Sequence, residues 1–147
     1  MKTLSRHWIE ETAVQALERF ALLNVWPAET EVETACAHHV QVHFAGDGES
    51  GRLVLSANDG FVTDLAGGLL GVETGQVNVV RDGEDALGEL GNTLAGRVVE
   101  LLGGVDRPIC LSLPERVDHV RRLPEPDFRV WLQSERGVLC ISIMNSA

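Results

Sequence analysis

Between Asp82 and Leu102 the chain reads "DGEDALGELGNTLAGRVVELL". At about 100° per residue, Leu87, Leu90, Leu94, Val98, Leu101 and Leu102 gather on one side of a helix, with Gly91 and Ala95 at the margin. Such a helix is about 30 Å long. It cannot bury that stripe on itself, so the fold must provide a second layer for the stripe to pack on. Gly103 and Gly104 are expected to stop it. The opposite side carries Asp85, Glu89, Asn92, Gly96 and Glu100 within a sector of about 80°. Glu89 and Asn92 are therefore neighbouring side chains at i and i+3, and both should face solvent. Solubility explains the acids but not Asn or Gly, each of which costs about 0.5–1 kcal/mol relative to Ala in a helix. A Gly one turn past Asn92 leaves a flat place for another molecule's backbone.

The second layer is legible in a change of period. From Val32 to Phe44, the residues Val32, Thr34, Cys36, Val40, Val42 and Phe44 share one parity, while Glu31, Glu33, Gln41 and His43 take the other. This predicts a strand, turned by the Gly-rich acidic "AGDGESG" into a second strand, "RLVLSA". A first helix is expected from Ser5 to Leu23, with Ser5 as N-cap and Pro27 beyond its end. A shorter helix should begin near Asn58 and Asp59 and end near Gly71. After the long helix come an apolar strand, "PICLSL", ending at Pro114, and then "FRVWLQ" and "GVLCISIM" joined by "SERG". The segments Gly51-x-Leu53-x-Leu55-Ser56 and Gly137-x-Leu139-x-Ile141-Ser142 echo each other, each ending a hairpin that follows a long helix. The expectation is an α+β fold, two long helices on one antiparallel sheet, built from a duplicated helix-plus-strands unit.

At 147 residues with 44% hydrophobic content, the chain is expected to form one domain, residues 1–147. A net charge of −10, from 12 basic against 22 acidic residues, argues against a nucleic-acid partner and toward a protein or a small cation. Cys36, Cys110 and Cys140 lack CxxC spacing, so buried reduced thiols are expected rather than disulfides or zinc. No apolar run has signal-peptide or membrane-span length, and a cytoplasmic location is expected. His39 and His43 lie about 13 Å apart on a strand, too far to share a metal. "GDGESG" lacks the order of a calcium loop, which leaves a turn. Trp8, Trp26 and Trp131 form no aromatic strip, and no nucleophilic triad can be assigned from spacing.

Chance placement of the chain's 14 Glu and 5 Asn would give about half an E-x-x-N match. Context adds information: Asp85, Glu89, Asn92 and Pro114 form D-x3-E-x2-N-x21-P on the outer face of a long helix. That pattern, with "ALGELGNTLAG", "LSLPERV", "ALERFALLNVWPAE" and "FAGDGESGRLVLS", resembles the CheC, CheX and FliY phosphatases of bacterial chemotaxis, with CheX members the most similar. The chain departs from the family at Gly91 and Thr93, where Ala and a large apolar residue are usual, and in a spacer one residue short. The resemblance implies a phosphatase acting on the aspartyl phosphate of a CheY-like response regulator, in chemotaxis or a related two-component circuit. It implies that Asn92 orients the attacking water, that Glu89 pairs with the regulator's Lys, and that Asp85, Gly96 and Pro114 meet the partner. It also implies that Mg2+ belongs to the regulator, with no cofactor held by this chain. Helix one carries no E-x-x-N, since Glu10, Glu11 and Glu18 are followed at i+3 by Ala13, Val14 and Ala21, so one functional helix is expected. A module of the same fold that binds a regulator or flagellar-switch component without hydrolysis is the competing reading. The apolar "GVLCISIM", placed at a sheet edge, would pair with a second copy, and the resemblance implies a homodimer through sheet pairing.

Overall fold

The computed structural model describes residues 4–28, 36–103, 108–118 and 125–145. Side-chain caps set the helix starts. The Ser5 hydroxyl accepts from the Trp8 N–H at 3.1 Å and opens α1, Arg6–Ala21. Asn58 opens α2, Asp59–Leu70, and its Oδ1 accepts from both Phe61 N–H (3.1 Å) and Val138 N–H (3.0 Å), so one side chain both caps a helix and ties it to a strand. Asn78 opens α3, Arg81–Gly103: its Oδ1 accepts from Arg81 N–H, and its own N–H donates to the Asp82 carboxylate, both at 2.9 Å. That donated hydrogen bond, with help from Arg81, holds the Asp82 carboxyl below its ordinary value.

The strands are β1 (Trp26–Pro27), β2 (His38–Gly46), β3 (Glu49–Ala57), β4 (Cys110–Leu111), β5 (Glu115–Arg116), β6 (Phe128–Gln133) and β7 (Val138–Asn145). They form one antiparallel sheet in the order β1-β6-β7-β3-β2-β4, with β5 also on β2. The β2–β3 hairpin turns at Asp47 and Gly48, both with positive φ (48° and 82°), the geometry that matches strand twist and favours Asp-Gly. Val40, Val42, Phe44, Leu53, Leu55, Ile141 and Ile143 are buried, as are Ile9 and Leu17 of α1 and Leu87, Leu90, Leu94 and Val98 of α3. Gly91 lets α3 approach the sheet, since a Cβ there would lie 3.4 Å from Val42 Cγ2 and 3.5 Å from Val40 Cγ1.

The echo between the two halves has a structural counterpart. Leu55 pairs across β3 and β7 with Ile141, its own equivalent, while Val54 pairs with Ser142 and Ser56 with Cys140. A pseudo-twofold axis therefore passes through the Leu55–Ile141 pair. It relates the β2–β3 hairpin to the β6–β7 hairpin, and β1 on β6 to β4 on β2.

Several expectations are corrected. The terminal strand lies at the sheet centre, bonded to β6 and β3, so it offers no edge for a second copy. Every residue of β7 but the last is buried, which a nearly continuous apolar run on both faces requires. The strand expected from Val32 starts at His38, and Val32–Ala35 lie outside the described residues, as does Gly104. "PICLSL" is strand only over Cys110–Leu111. Between the β4 pair Phe44↔Leu111 and the β5 pair Gln41↔Glu115, three residues (Ser112, Leu113, Pro114) stand opposite two (Val42, His43), a one-residue bulge at a proline that has no N–H to give the ladder. Of the cysteines only Cys140 is buried; Cys110 sits on the two-residue edge strand and is exposed, and Cys36 is half-buried, its thiol pushed up by that burial.

Candidate functional site

The solvent side of α3 carries the residues singled out by spacing. Asp85, Glu89 and Asn92 are exposed, and their side chains make no hydrogen bond or ion pair among the described residues. Gly96, one turn beyond, has no atom within 4 Å of where a Cβ would stand. Thr93, a departure from the family pattern, turns its hydroxyl back to the Glu89 carbonyl at 2.9 Å, which satisfies it without burial. The helix therefore shows a carboxylate and a carboxamide one turn apart, neither used by the fold.

A cleft of about 510 Å³ opens beside this face. Asp85, Glu89 and Asn92 of α3 form one wall, Pro114, Glu115 and Arg116 the other, and His38 and His39 of β2 line its floor. Gly88 admits Pro114 to this wall: a Cβ on Gly88 would lie 3.7 Å from the proline ring, so the two elements meet at van der Waals distance. Arg116 joins Glu84 at 3.4 Å and Asp118 at 3.3 Å, holding β5 against α3. Glu115 accepts from Gln41 Nε2 at 3.0 Å.

Sequence patterning brought Asp85, Glu89, Asn92 and Pro114 into one site, and the structure places all four on the cleft, with Gly96 further along the same helix face. It did not find His38, His39 or Arg116. His38 Nε2 lies 2.6 Å from the Asp59 carboxylate, and His39 Nδ1 meets the Ser56 hydroxyl at 2.7 Å. Burial lowers the His39 pKa below its ordinary value of 6.5. The spacing of about 13 Å that excluded a His39–His43 metal pair said nothing of which histidine would lie under the long helix. Among the described residues, no group of three or more His, Cys, Asp or Glu is placed to hold a metal ion, and no helix is long and apolar enough to cross a membrane.

The antiparallel sheet flanked by helices is a CheC/CheX-like fold, and its longest helix carries the E-x-x-N face. More particularly, the family described as "Chemotaxis phosphatase CheX" matches residues 39–124, and the chain belongs to it. Solved structures share the fold. The CheX chemotaxis protein from Vibrio vulnificus superposes with a TM-score of 0.76 at 17% identity, over 98% of this chain and 100% of the other. A CheC-like superfamily protein from Shewanella sp. PV-4 gives 0.72 at 15%, over 95% of each chain. A chain of the CheX–CheY–BeF3–Mg2+ complex from Borrelia burgdorferi gives 0.71 at 14%, over 99% of this chain and 100% of that one. No curated protein is similar enough in sequence to register as a relative.

Proposed function

We propose that this chain is a single-domain phosphatase that hydrolyses the aspartyl phosphate of a CheY-like response regulator, in chemotaxis or a related two-component circuit. One observation carries the reading: Glu89 and Asn92 stand adjacent and unpartnered on the exposed face of α3, where the core requires neither and solubility does not explain Asn92. The fold shared with a CheX chain solved together with CheY supports the same partner class.

In this reading α3 docks over the regulator's active site. Asn92 accepts a hydrogen bond from a water through its carbonyl and donates to the water's oxygen or a phosphoryl oxygen through its amide, lining the water up behind phosphorus. The water oxygen bonds to phosphorus as the bond from phosphorus to the aspartyl oxygen breaks. The regulator's carboxylate leaves, and the water proton ends on inorganic phosphate. Glu89 pairs with the regulator's Lys and fixes the helix over the site, while Asp85, Gly96 and Pro114 contact the partner. Magnesium belongs to the regulator, and this chain's residues act only on the water and the docking geometry.

The lifetime of a phosphorylated regulator with Mg2+, measured with and without this protein, tests the proposal. Asn92→Ala should lower the hydrolysis rate by about 100-fold, the scale of lost alignment, while retaining binding. Binding with an unchanged phosphoryl lifetime would instead identify a non-catalytic module.

A further inference from the structure

The margin of α1 beside α3 carries polar residues that packing does not require. Trp8, Thr12, Gln15 and Arg19 fall within a sector of about 60° at helical spacing. With Arg97 and Glu100 of α3 they line a cleft of about 510 Å³ between the two helices, as large as the cleft beside Asn92. Trp8 is half-buried against the core, so its ring is held in place while part of it borders the cleft. Arg19 and Arg97 are exposed and come from different helices. Among the described residues their side chains make no hydrogen bond or ion pair, whereas Arg81, Arg116 and Arg136 are each engaged by a carboxylate. Glu11 also borders the cleft, but its carboxylate turns to His7 at 3.6 Å. A single exposed Arg is ordinary. These two are set apart because they share one cleft with an indole.

The lining selects the ligand chemistry. Two guanidiniums without a carboxylate partner favour an anion, and their planar forks match phosphate in particular. The indole offers a π-face to a flat ring. The Thr12 hydroxyl and Gln15 amide can donate and accept, while the Glu100 carboxylate only accepts, which suits a ligand carrying hydroxyl or amino hydrogens as well as a negative group. The chain's net charge of −10 opposes a polyanionic strand, but one phosphate needs only local cations. The cleft also has the volume of a small-molecule site, for which about 300–1,000 Å³ is usual. We propose that the α1–α3 cleft binds a nucleoside phosphate, with the phosphate on Arg19 and Arg97, the base against Trp8, and ribose or base hydrogens on Glu100. Glu100 lies two turns past Asn92 on α3, about 12 Å along the axis. The cleft is therefore a second site on that helix, and its assignment does not rest on the phosphatase reading.

Calorimetric titration of the full chain with AMP, GMP, the two nucleosides and inorganic phosphate tests the proposal. At least one nucleotide should bind, about tenfold or more tighter than its nucleoside or inorganic phosphate. Arg19→Gln and Arg97→Gln should each raise that Kd by about tenfold, with thermal midpoints near wild type because both side chains are in solvent. Arg129→Gln, which alters an exposed Arg on β6 outside the cleft, should leave Kd unchanged. Trp8→Phe keeps a ring and should retain binding, while the quenching of indole fluorescence by the nucleotide disappears. Asn92→Ala should bind the nucleotide like wild type. Inorganic phosphate binding as tightly as the nucleotides would reduce the cleft to a simple anion site and overturn the proposal. Absence of nucleotide binding to wild type, or a Kd that neither Arg variant changes, would overturn it as well, and the phosphatase reading would stand in each case.

Discussion

At the scale of single residues, Gly96 separates fold from function most cleanly. A Cβ there meets nothing within 4 Å, so Gly96→Ala gains helix propensity without a clash. It should raise stability by about 0.5–1 kcal/mol, read as a higher denaturation midpoint. The same methyl would stand on the proposed docking face and should weaken regulator binding. A rise in stability with unchanged affinity would remove Gly96 from the interface. Residue-level patterning is where the sequence was most informative. The caps at Ser5 and Asn58, the Asp47-Gly48 turn, and the exposure of Asp85, Glu89 and Asn92 all follow from interactions within a few residues of chain. Arg116 and His38 were not legible, because their neighbours in the cleft come from α2 and α3, elements distant in sequence.

At the scale of elements, a polar knot fastens α2 to the β6–β7 turn. The Asp64 carboxylate is buried and accepts from the Ser134 hydroxyl (2.7 Å), the Arg136 N–H (2.9 Å) and the Arg136 guanidinium (2.9 Å). Asp64 in turn raises the Arg136 pKa above its ordinary value, first through that hydrogen bond. The backbones are equally tight here: a Cβ on Gly60 would stand 2.0 Å from the Arg136 carbonyl oxygen. Asp64→Ala would strand three donors that are buried or partly buried and should destabilise the protein by about 2–4 kcal/mol, measured by chemical denaturation. A loss under about 1 kcal/mol would show that water replaces the carboxylate. The knot lies away from the α3 face, so the phosphoryl-lifetime assay should be insensitive to it wherever the variant is folded.

At the scale of the whole molecule, two hairpins meet at the Leu55–Ile141 pair, and their flanking strands are exchanged, β1 onto β6 and β4 onto β2. This arrangement leaves β7 without a free edge for a second copy. Among the described residues, with β7 paired on both sides, the sheet edges are β1 and the β4–β5 side of β2. The β1 edge carries Pro27, which donates no hydrogen bond.

The sequence by itself determined the helical stripe of α3, the two hairpins, the internal echo and the E-x-x-N face, because periodicity and turn chemistry are set by near neighbours along the chain. Only the tertiary structure decided that the last strand is central, that Leu113 is turned outward at a bulge, and that β2 and β5 complete a cleft beside Asn92. Strand order and register are fixed by hydrogen bonds between residues far apart in sequence, and an apolar strand reads alike whether a neighbour or an edge lies beside it. Here the burial of both faces of β7 by the folded chain placed it at the centre.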